Sequence, residues 1–229
     1  MKLDISQKEA GETIREYALR VLHSNLLSMN LVPGTVLSEQ EIGNALKTSR
    51  TPVREACIRL AQEGVLTIFP QKGTYVAKID LEQVSESIFL RDTMEHAIMQ
   101  IACKEFSQED LYSLQDCLYM QQLCLQRKDN TRFFELDGRF HGIIFTGCGK
   151  GRIWQMIERM SLNYNRVRML SLLNGSYEME KLFGQHQTIF AAIDSKNQSS
   201  GNMVMSEHID KVMRDMEELK KKYPAYFKK

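Results

Sequence analysis

The chain has 229 residues, 43% of them hydrophobic, and a formal net charge at pH 7 of only +1. This length allows one large domain or two smaller ones, each with its own core. A net charge this close to zero argues against a protein that coats nucleic acid without sequence preference. It is compatible with a sequence-specific DNA-binding protein whose basic groups lie on one surface. No apolar run could span a bilayer and the first residues lack a secretory signal, so we expect a soluble protein with no membrane partner.

The five cysteines are an odd number and lack the spacing of a metal knuckle. Four of them fall in helical patterns as small apolar residues, which favours a reducing cytoplasm. The lysine-rich tail, residues 220–229, is expected to be a solvated helix end.

Residues 11–29 read as a helix, and residues 37–63 predict two short helices joined by a tight turn. Ser38 opens the first of the two, with Glu41 three residues later, which is a capping-box pattern. The second helix has Ser49 or Thr51 as its N-cap and Pro52 in its first turn. The expected apolar faces of the two helices are Ile42, Ala45 and Leu46, and Val53, Ala56, Cys57 and Leu60.

Two arginines stand side by side at the start of the second helix, away from its apolar face. Arg50 and Arg54 are four residues apart, and forked guanidiniums suit phosphates and the acceptor edge of guanine. Residues 65–69 and 74–78 are rich in β-formers, and the turn between them carries Lys72 and Gly73. A helix-turn-helix followed by such a hairpin is a winged helix. The alternative is an ordinary small helical domain with surface arginines.

The segment LSEQEIGNALKTSRTPVREACIRLAQEGVLTIFPQKGTYVA resembles the DNA-binding domain of the GntR family of bacterial transcription regulators. The shared marks are S-R-T-P-V-R-E-A, the E-G-V-L step and the G-T-Y-V wing. A basic residue is common in the family where this chain has Gln40, so one DNA contact is expected to be missing. The resemblance implies that Ser49, Arg50, Thr51 and Arg54 contact DNA and that Gly73 lies in or near the minor groove. We also expect contacts from Ser38 and Lys72.

From residue 81 onward the pattern is helical, and we expect a bundle of six or seven helices. The predicted breaks lie near Ser107, Asp129, residues 147–151, residues 174–175 and residues 199–201. The fold class is therefore mostly α, with a winged helix-turn-helix in residues 1–79 and an all-helical domain in residues 80–229.

Four metal-ligand side chains lie on apolar helix faces in this half. Asp137 and His141 are four residues apart on one face, and His186 and His208 each lie on the apolar face of another helix. A lone buried histidine is usually an ordinary core residue, but three of them with an aspartate also suit a divalent cation. The donor set fits Zn, Ni, Mn or Fe, with Zn preferred.

Two further polar positions interrupt apolar faces. Arg91 and Glu95 form either an intrahelical ion pair at the domain surface or part of a cavity in which Arg91 binds a ligand carboxylate. Asn163 interrupts the face of Met156, Met160, Val167 and Leu170, and is a second candidate for effector binding.

This half resembles the FCD effector domain of the FadR-like branch of the GntR family. Its marks are L-R-D-T-M-E near Arg91, L-D-G-R-F-H at 136–141, Q-H-Q-T-I-F-A-A-I at 185–193 and S-E-H-I at 206–209. The resemblance implies that Asp137, His141, His186 and His208 hold a divalent metal and that Arg91 binds an effector carboxylate. Gln185 departs from the family, which commonly has an acidic residue there, and a change in the surroundings of the metal ligands is expected.

The predicted function is that of a cytoplasmic bacterial transcription regulator. A homodimer would bind a palindromic operator, and a small organic acid bound at the metal site would change operator affinity. One alternative is a metal-dependent enzyme built in the helical bundle, with the winged helix as an appendage. Another is an architectural DNA binder without an effector, against which the Asp, His and Arg set speaks.

Overall fold

The computed structural model describes residues 3–175 and 178–228. Within these residues the chain is mostly helical, as predicted, with one small antiparallel sheet near the N-terminus. None of the described helices is both long and apolar enough to cross a membrane.

Three helices form the N-terminal part of the chain: α1 (Ile14–Leu27), α2 (Glu39–Ala45) and α3 (Arg50–Gln62). The buried apolar side chains of α1 and α3 share one core cluster with Ile42 of α2 and with Leu46, which directly follows α2. A Cβ atom at Gly43 of α2 would lie 3.1 Å from the carbonyl oxygen of Thr48, so glycine lets the turn before α3 approach α2 closely. This is the predicted helix-turn-helix.

The wing is a three-stranded sheet rather than a lone hairpin. β2 (Leu66–Phe69) pairs with β3 (Gly73–Val76) as predicted, and β1 (Val36–Leu37) pairs with the other edge of β3. The sequence missed β1 because two residues are too short to show alternation.

Two later segments belong to the same compact unit as the winged helix. This unit comprises the described residues up to Val84, together with Leu162–Leu170 and the described residues from Glu217 onward. Lys220–Lys222 are exposed, as expected, but Phe227 is buried, and the main chain of Ile79 hydrogen bonds with Tyr226 and Lys228. The tail is therefore more than a solvated helix end.

The second compact unit comprises the described residues of Ser85–Ser161 and Ser171–Met216. Its core is a large apolar cluster drawn from the helices that run through it. The helices from residue 81 onward are α4 (Leu81–Ala102), α5 (Gln108–Arg127), α6 (Asn130–Gly147), α7 (Gly151–Met160), α8 (Leu162–Leu173), α9 (Met179–Asp194) and α10 (Gln198–Lys222).

Most predicted helix breaks occur where expected, and Ser107 and Asp129 are N-caps. The break predicted near residues 199–201 lies slightly earlier, at residues 195–197, because Asn197 Oδ1 accepts the Ser200 N–H at 3.1 Å and residues 198–201 form the first turn of α10. A break was missed at Ser161, which ends α7 and whose hydroxyl donates to the Ile157 carbonyl at 2.6 Å.

Candidate metal centre and DNA-binding surface

The start of α3 presents the predicted recognition residues to solvent. Ser49 is the N-cap residue, yet its side chain makes no capping hydrogen bond. Ser49, Arg50, Thr51 and Arg54 are all exposed, whereas the predicted apolar face of α3 is buried throughout. On α2, Ser38 accepts the Glu41 N–H at 3.2 Å, and Ala45 is exposed rather than buried.

The two arginines of α3 are not equivalent. Arg50 Nε lies 2.7 Å from Glu39 Oε2, so its guanidinium is held against α2. Gln40, at the position where a basic residue is common, donates to Asn44 of its own helix at 3.1 Å. Arg54 is thus the more direct candidate for a base contact.

The wing tip carries both predicted contact residues, Lys72 and Gly73, on its exposed surface. Gly73 has φ +115°, a conformation that side-chain-bearing residues rarely adopt. The ring of Tyr75 packs edge-on against Phe69 at 5.5 Å, and its hydroxyl donates to the Lys72 carbonyl at 3.3 Å. These contacts give the tip a defined shape.

The four predicted metal ligands lie together inside the helical unit. Asp137 and His141 come from α6, His186 from α9 and His208 from α10, and all four are buried. Each offers one ligand atom, and these atoms lie within 4.8 Å of one another. The Nε2 atoms of His186 and His208 are 3.5 and 3.7 Å from Asp137 Oδ1.

The spacing of these donor atoms suits a transition metal. The Nε2 atoms of His141 and His208 are 3.1 Å apart. Metal–ligand bonds of about 2.0–2.2 Å place neighbouring donor atoms roughly 3.0–3.6 Å from one another. The cluster therefore needs only small adjustments to surround one ion.

Each of the three imidazoles has an oxygen partner at its other ring nitrogen. His141 Nδ1 lies 2.5 Å from Glu95 Oε2, His186 Nδ1 lies 2.9 Å from Gln121 Oε1, and His208 Nδ1 lies 3.2 Å from Gln185 Oε1. Such partners orient a metal-binding imidazole and keep the proton on Nδ1, which leaves Nε2 as the ligand atom.

Gln121 and Glu95 each contact a candidate metal ligand, and the sequence did not reveal these contacts. Gln121 Nε2 donates to the Leu136 carbonyl at 3.2 Å, which orients the amide so that its oxygen faces His186. Gln121 is fully buried on the otherwise apolar face of α5. This polar residue on an apolar face was the sequence feature that could have identified it. Gln185, flagged in the sequence as unusual, contacts His208 rather than its neighbour His186.

The pair of facing nitrogens shows why a cation fits here. Burial and the nearby His186 hold the pKa of His208 well below its ordinary value, so this imidazole is neutral. If His141 also carries its proton on Nδ1, towards Glu95, two lone pairs face each other at 3.1 Å. Such an arrangement needs a proton or a metal ion between the nitrogens, and Asp137 could supply an oxygen ligand to a metal ion.

Arg91 is buried and bound to Glu95. Its Nε and Nη2 atoms lie 2.8 and 2.6 Å from Glu95 Oε1, and its guanidinium carbon lies 5.6 Å from the Trp154 ring centroid. Burial alone would raise the pKa of Glu95, but Arg91 and His141 hold it at about 2. The predicted ion pair is therefore present, inside the unit rather than at its surface, and Glu95 connects Arg91 to the candidate metal ligand His141.

Asn163 lies at the start of α8, in the compact unit that contains the winged helix. Its side chain donates to Gln83 Oε1 at 2.6 Å and accepts from Arg166 Nη1 at 3.1 Å. The effector contact expected of Asn163 stays a prediction.

Two family profiles match the chain. The profile described as "Bacterial regulatory proteins, gntR family" matches residues 14–76, and that of the FCD domain matches residues 86–211. The second match alone covers more than half of the chain.

Known proteins agree with this assignment. The chain is 30% identical over 222 residues to the HTH-type transcriptional repressor RspR of Escherichia coli strain K12, covering 97% of each chain. It is 33% identical over 186 residues to the Nta operon transcriptional regulator of Aminobacter aminovorans, covering 81% of this chain and 86% of the relative. Its fold is similar to that of E. coli McbR/YncC, with a TM-score of 0.78, 20% identity and coverage of 93% and 99%. The chain thus belongs to the GntR family of DNA-binding transcription regulators, in the branch with an FCD domain, and is not an enzyme.

Proposed function

We propose that this regulator binds a palindromic operator as a homodimer, and that a metal and a small carboxylate effector in its helical domain control operator affinity. Residues 1–79 form the DNA-binding domain and residues 80–229 the effector domain. The observation that carries the effector part is the buried cluster of Asp137, His141, His186 and His208. A regulator acting on bacterial DNA works in the cytoplasm.

The donor set favours zinc over nickel, manganese or iron. Three imidazole nitrogens and one carboxylate oxygen are common zinc ligands, and they leave room for further oxygen ligands. The ion would supply a Lewis-acidic centre for one end of the effector. The protein's part is to hold the ligand atoms in place through Glu95, Gln121 and Gln185.

The charges of the cluster support an anionic effector. Two carboxylates, Asp137 and Glu95, and one guanidinium, Arg91, leave one surplus negative charge when the imidazoles are neutral. A divalent cation would turn this into one surplus positive charge, in a site shielded from water. A carboxylate effector would balance it, with one end at the metal and the other towards Arg91.

The helix that carries Arg91 connects the two functions along the chain. α4 begins at Leu81, five residues after the last strand of the wing ends at Val76. A shift of α4 on effector binding would therefore change how the winged helices of a dimer are spaced. Because operator half-sites have a fixed separation, a small change in spacing alters affinity.

We expect a hydroxy acid, a dicarboxylate or a sugar acid to raise the melting temperature of the zinc-loaded protein and to change operator affinity. The change should be about 5- to 150-fold, the usual range of allosteric coupling. A thermal-shift screen of an acid panel finds the binders. Fluorescence anisotropy with an operator duplex, selected from random DNA by the protein, measures the coupling.

Arg91→Lys is the variant that tests the effector contact. Alanine would leave the buried Glu95 carboxylate without its cation, which costs about 3–5 kcal/mol for a buried pair. Lysine keeps the charge beside Glu95 but loses the guanidinium fork, so the acid response should weaken while acid-free operator binding stays the same. Acids that bind tightly yet leave operator affinity unmoved would rule out an effector switch.

The partners of the three histidines should tune metal affinity. We expect Gln121→Leu to weaken zinc binding by about 10- to 100-fold, because His186 loses the oxygen that orients it. Glu95→Gln should act less strongly, because an amide oxygen can still accept from His141 Nδ1. Competition with a chromophoric chelator measures both affinities.

Gln126→Leu is the matched control, because it makes the same change at an exposed position of the same helix, outside the cluster. If Gln121→Leu and Gln126→Leu bind zinc equally well, Gln121 does not orient a ligand.

A further inference from the structure

A fully buried arginine lies in the unit that contains the winged helix. Arg166 of α8 donates from Nη2 to the Ala77 carbonyl at 2.9 Å and from Nη1 to Asn163 Oδ1 at 3.1 Å. Both acceptors are neutral. Burial lowers the pKa of Arg166 to about 10, so the group stays charged at neutral pH. A buried charge paired only with neutral oxygens reduces stability relative to an apolar side chain of the same size.

The hydrogen bonds run from Arg166 through Asn163 to Gln83, with each group donating to the next. Because Arg166 can only donate, Asn163 must present its oxygen to it and its amide nitrogen to the next group. That nitrogen donates to Gln83 Oε1 at 2.6 Å. Three side chains from α4 and α8 thus form one chain of bonds with a defined polarity.

This chain of bonds reaches both ends of the wing hairpin. Ala77 directly follows β3, which ends at Val76. At the other end, a Cβ atom at Gly64 would lie 2.9 Å from the side-chain amide of Gln83, so Gln83 packs directly on the residue before Val65 and β2. The Ala77 N–H donates to the Val65 carbonyl at 2.9 Å, which closes the base of the hairpin between these two points.

We propose that Gln83, Asn163 and Arg166, here called the wing clasp, are positioning residues that set the wing for operator binding. The clasp holds the base of the hairpin, and the tip with Lys72 moves with that base. α4 and α8 both continue past Val84 and Leu170 into the second compact unit. A displacement of either helix therefore reaches the wing through side chains, in addition to the main chain.

Arg166→Met tests the clasp, because methionine fills part of the same space without the charge or the donors. We expect affinity for the selected operator to fall tenfold or more, affinity for random duplex DNA to change less than twofold, and the melting temperature to stay the same or rise. Hydrogen exchange should be faster at the amides of β2 and β3. Arg159→Met, an exposed site on α7, is the control for loss of one positive charge.

Arg166→Lys keeps the charge and can reach one acceptor, so it should give an intermediate operator affinity. If Arg166→Met does not fold, the operator affinity and hydrogen exchange of Arg166→Lys test the proposal instead. Operator affinity and wing exchange equal to those of the unaltered protein, in whichever variant folds, would overturn the proposal. So would an equal loss of affinity for operator and for random DNA. None of these measurements requires metal or effector, so the clasp can fail while the proposed effector site stands.

Discussion

Asp137→Ala and His208→Ala will each lose most of the metal that the unaltered protein retains. Both side chains are buried in the four-residue cluster, and each supplies a ligand atom. Protein purified without chelator should carry close to one equivalent of a divalent transition metal per chain. Each variant should fall to about a tenth of that or less, because metal affinity depends on the complete ligand set. Elemental analysis by plasma mass spectrometry measures the content and identifies the metal.

His96 supplies the control for this experiment. It lies on α4, and its ring bonds to the Asp92 carbonyl at 2.7 Å and to the Ser206 hydroxyl at 3.0 Å, outside the cluster. His96→Ala and His23→Ala should therefore keep the metal content of the unaltered protein. An unaltered protein without metal, or equal content in all variants, would refute the site.

Arg54→Ala will weaken specific operator binding by about 1–3 kcal/mol, the usual value of a direct base contact. Arg54 is exposed one turn into α3, beside the free N-cap end of the recognition helix. Arg50→Ala should also weaken binding, but Arg50 is partly engaged by Glu39 in the DNA-free protein. Anisotropy titrations at several salt concentrations separate specific contacts from phosphate contacts.

Lysines provide the comparison for the arginines. Lys72→Ala at the wing tip should weaken binding to all sequences alike and reduce the salt slope by about 1. Lys221→Ala, at an exposed position near the end of α10, should change neither quantity. Unchanged operator affinity in both Arg50→Ala and Arg54→Ala would mean that α3 is not the recognition helix.

Much of the architecture could be predicted because it follows from local pattern. The i, i+3, i+4 spacing of apolar residues identified the buried face of α3, and the same spacing placed Asp137 and His141 together on α6. The breaks predicted near Ser107 and Asp129 coincide with the N-caps of α5 and α6. Periodicity does not show that residues on different helices lie close together. The resemblance to the FCD domain supplied that prediction for Asp137, His141, His186 and His208.

Tertiary structure alone decided which buried polar groups bind one another. Periodicity showed that Glu95 lies on an inward face, but its partner His141 is on another helix, 46 positions later. Gln121 and His186 are 65 positions apart, and Asn163 and Gln83 are 80 apart. Local spacing determines which side of a helix avoids water, and it carries no information about which two such sides pack together. The wing clasp and the oxygen partners of the histidines are therefore properties of the packed chain.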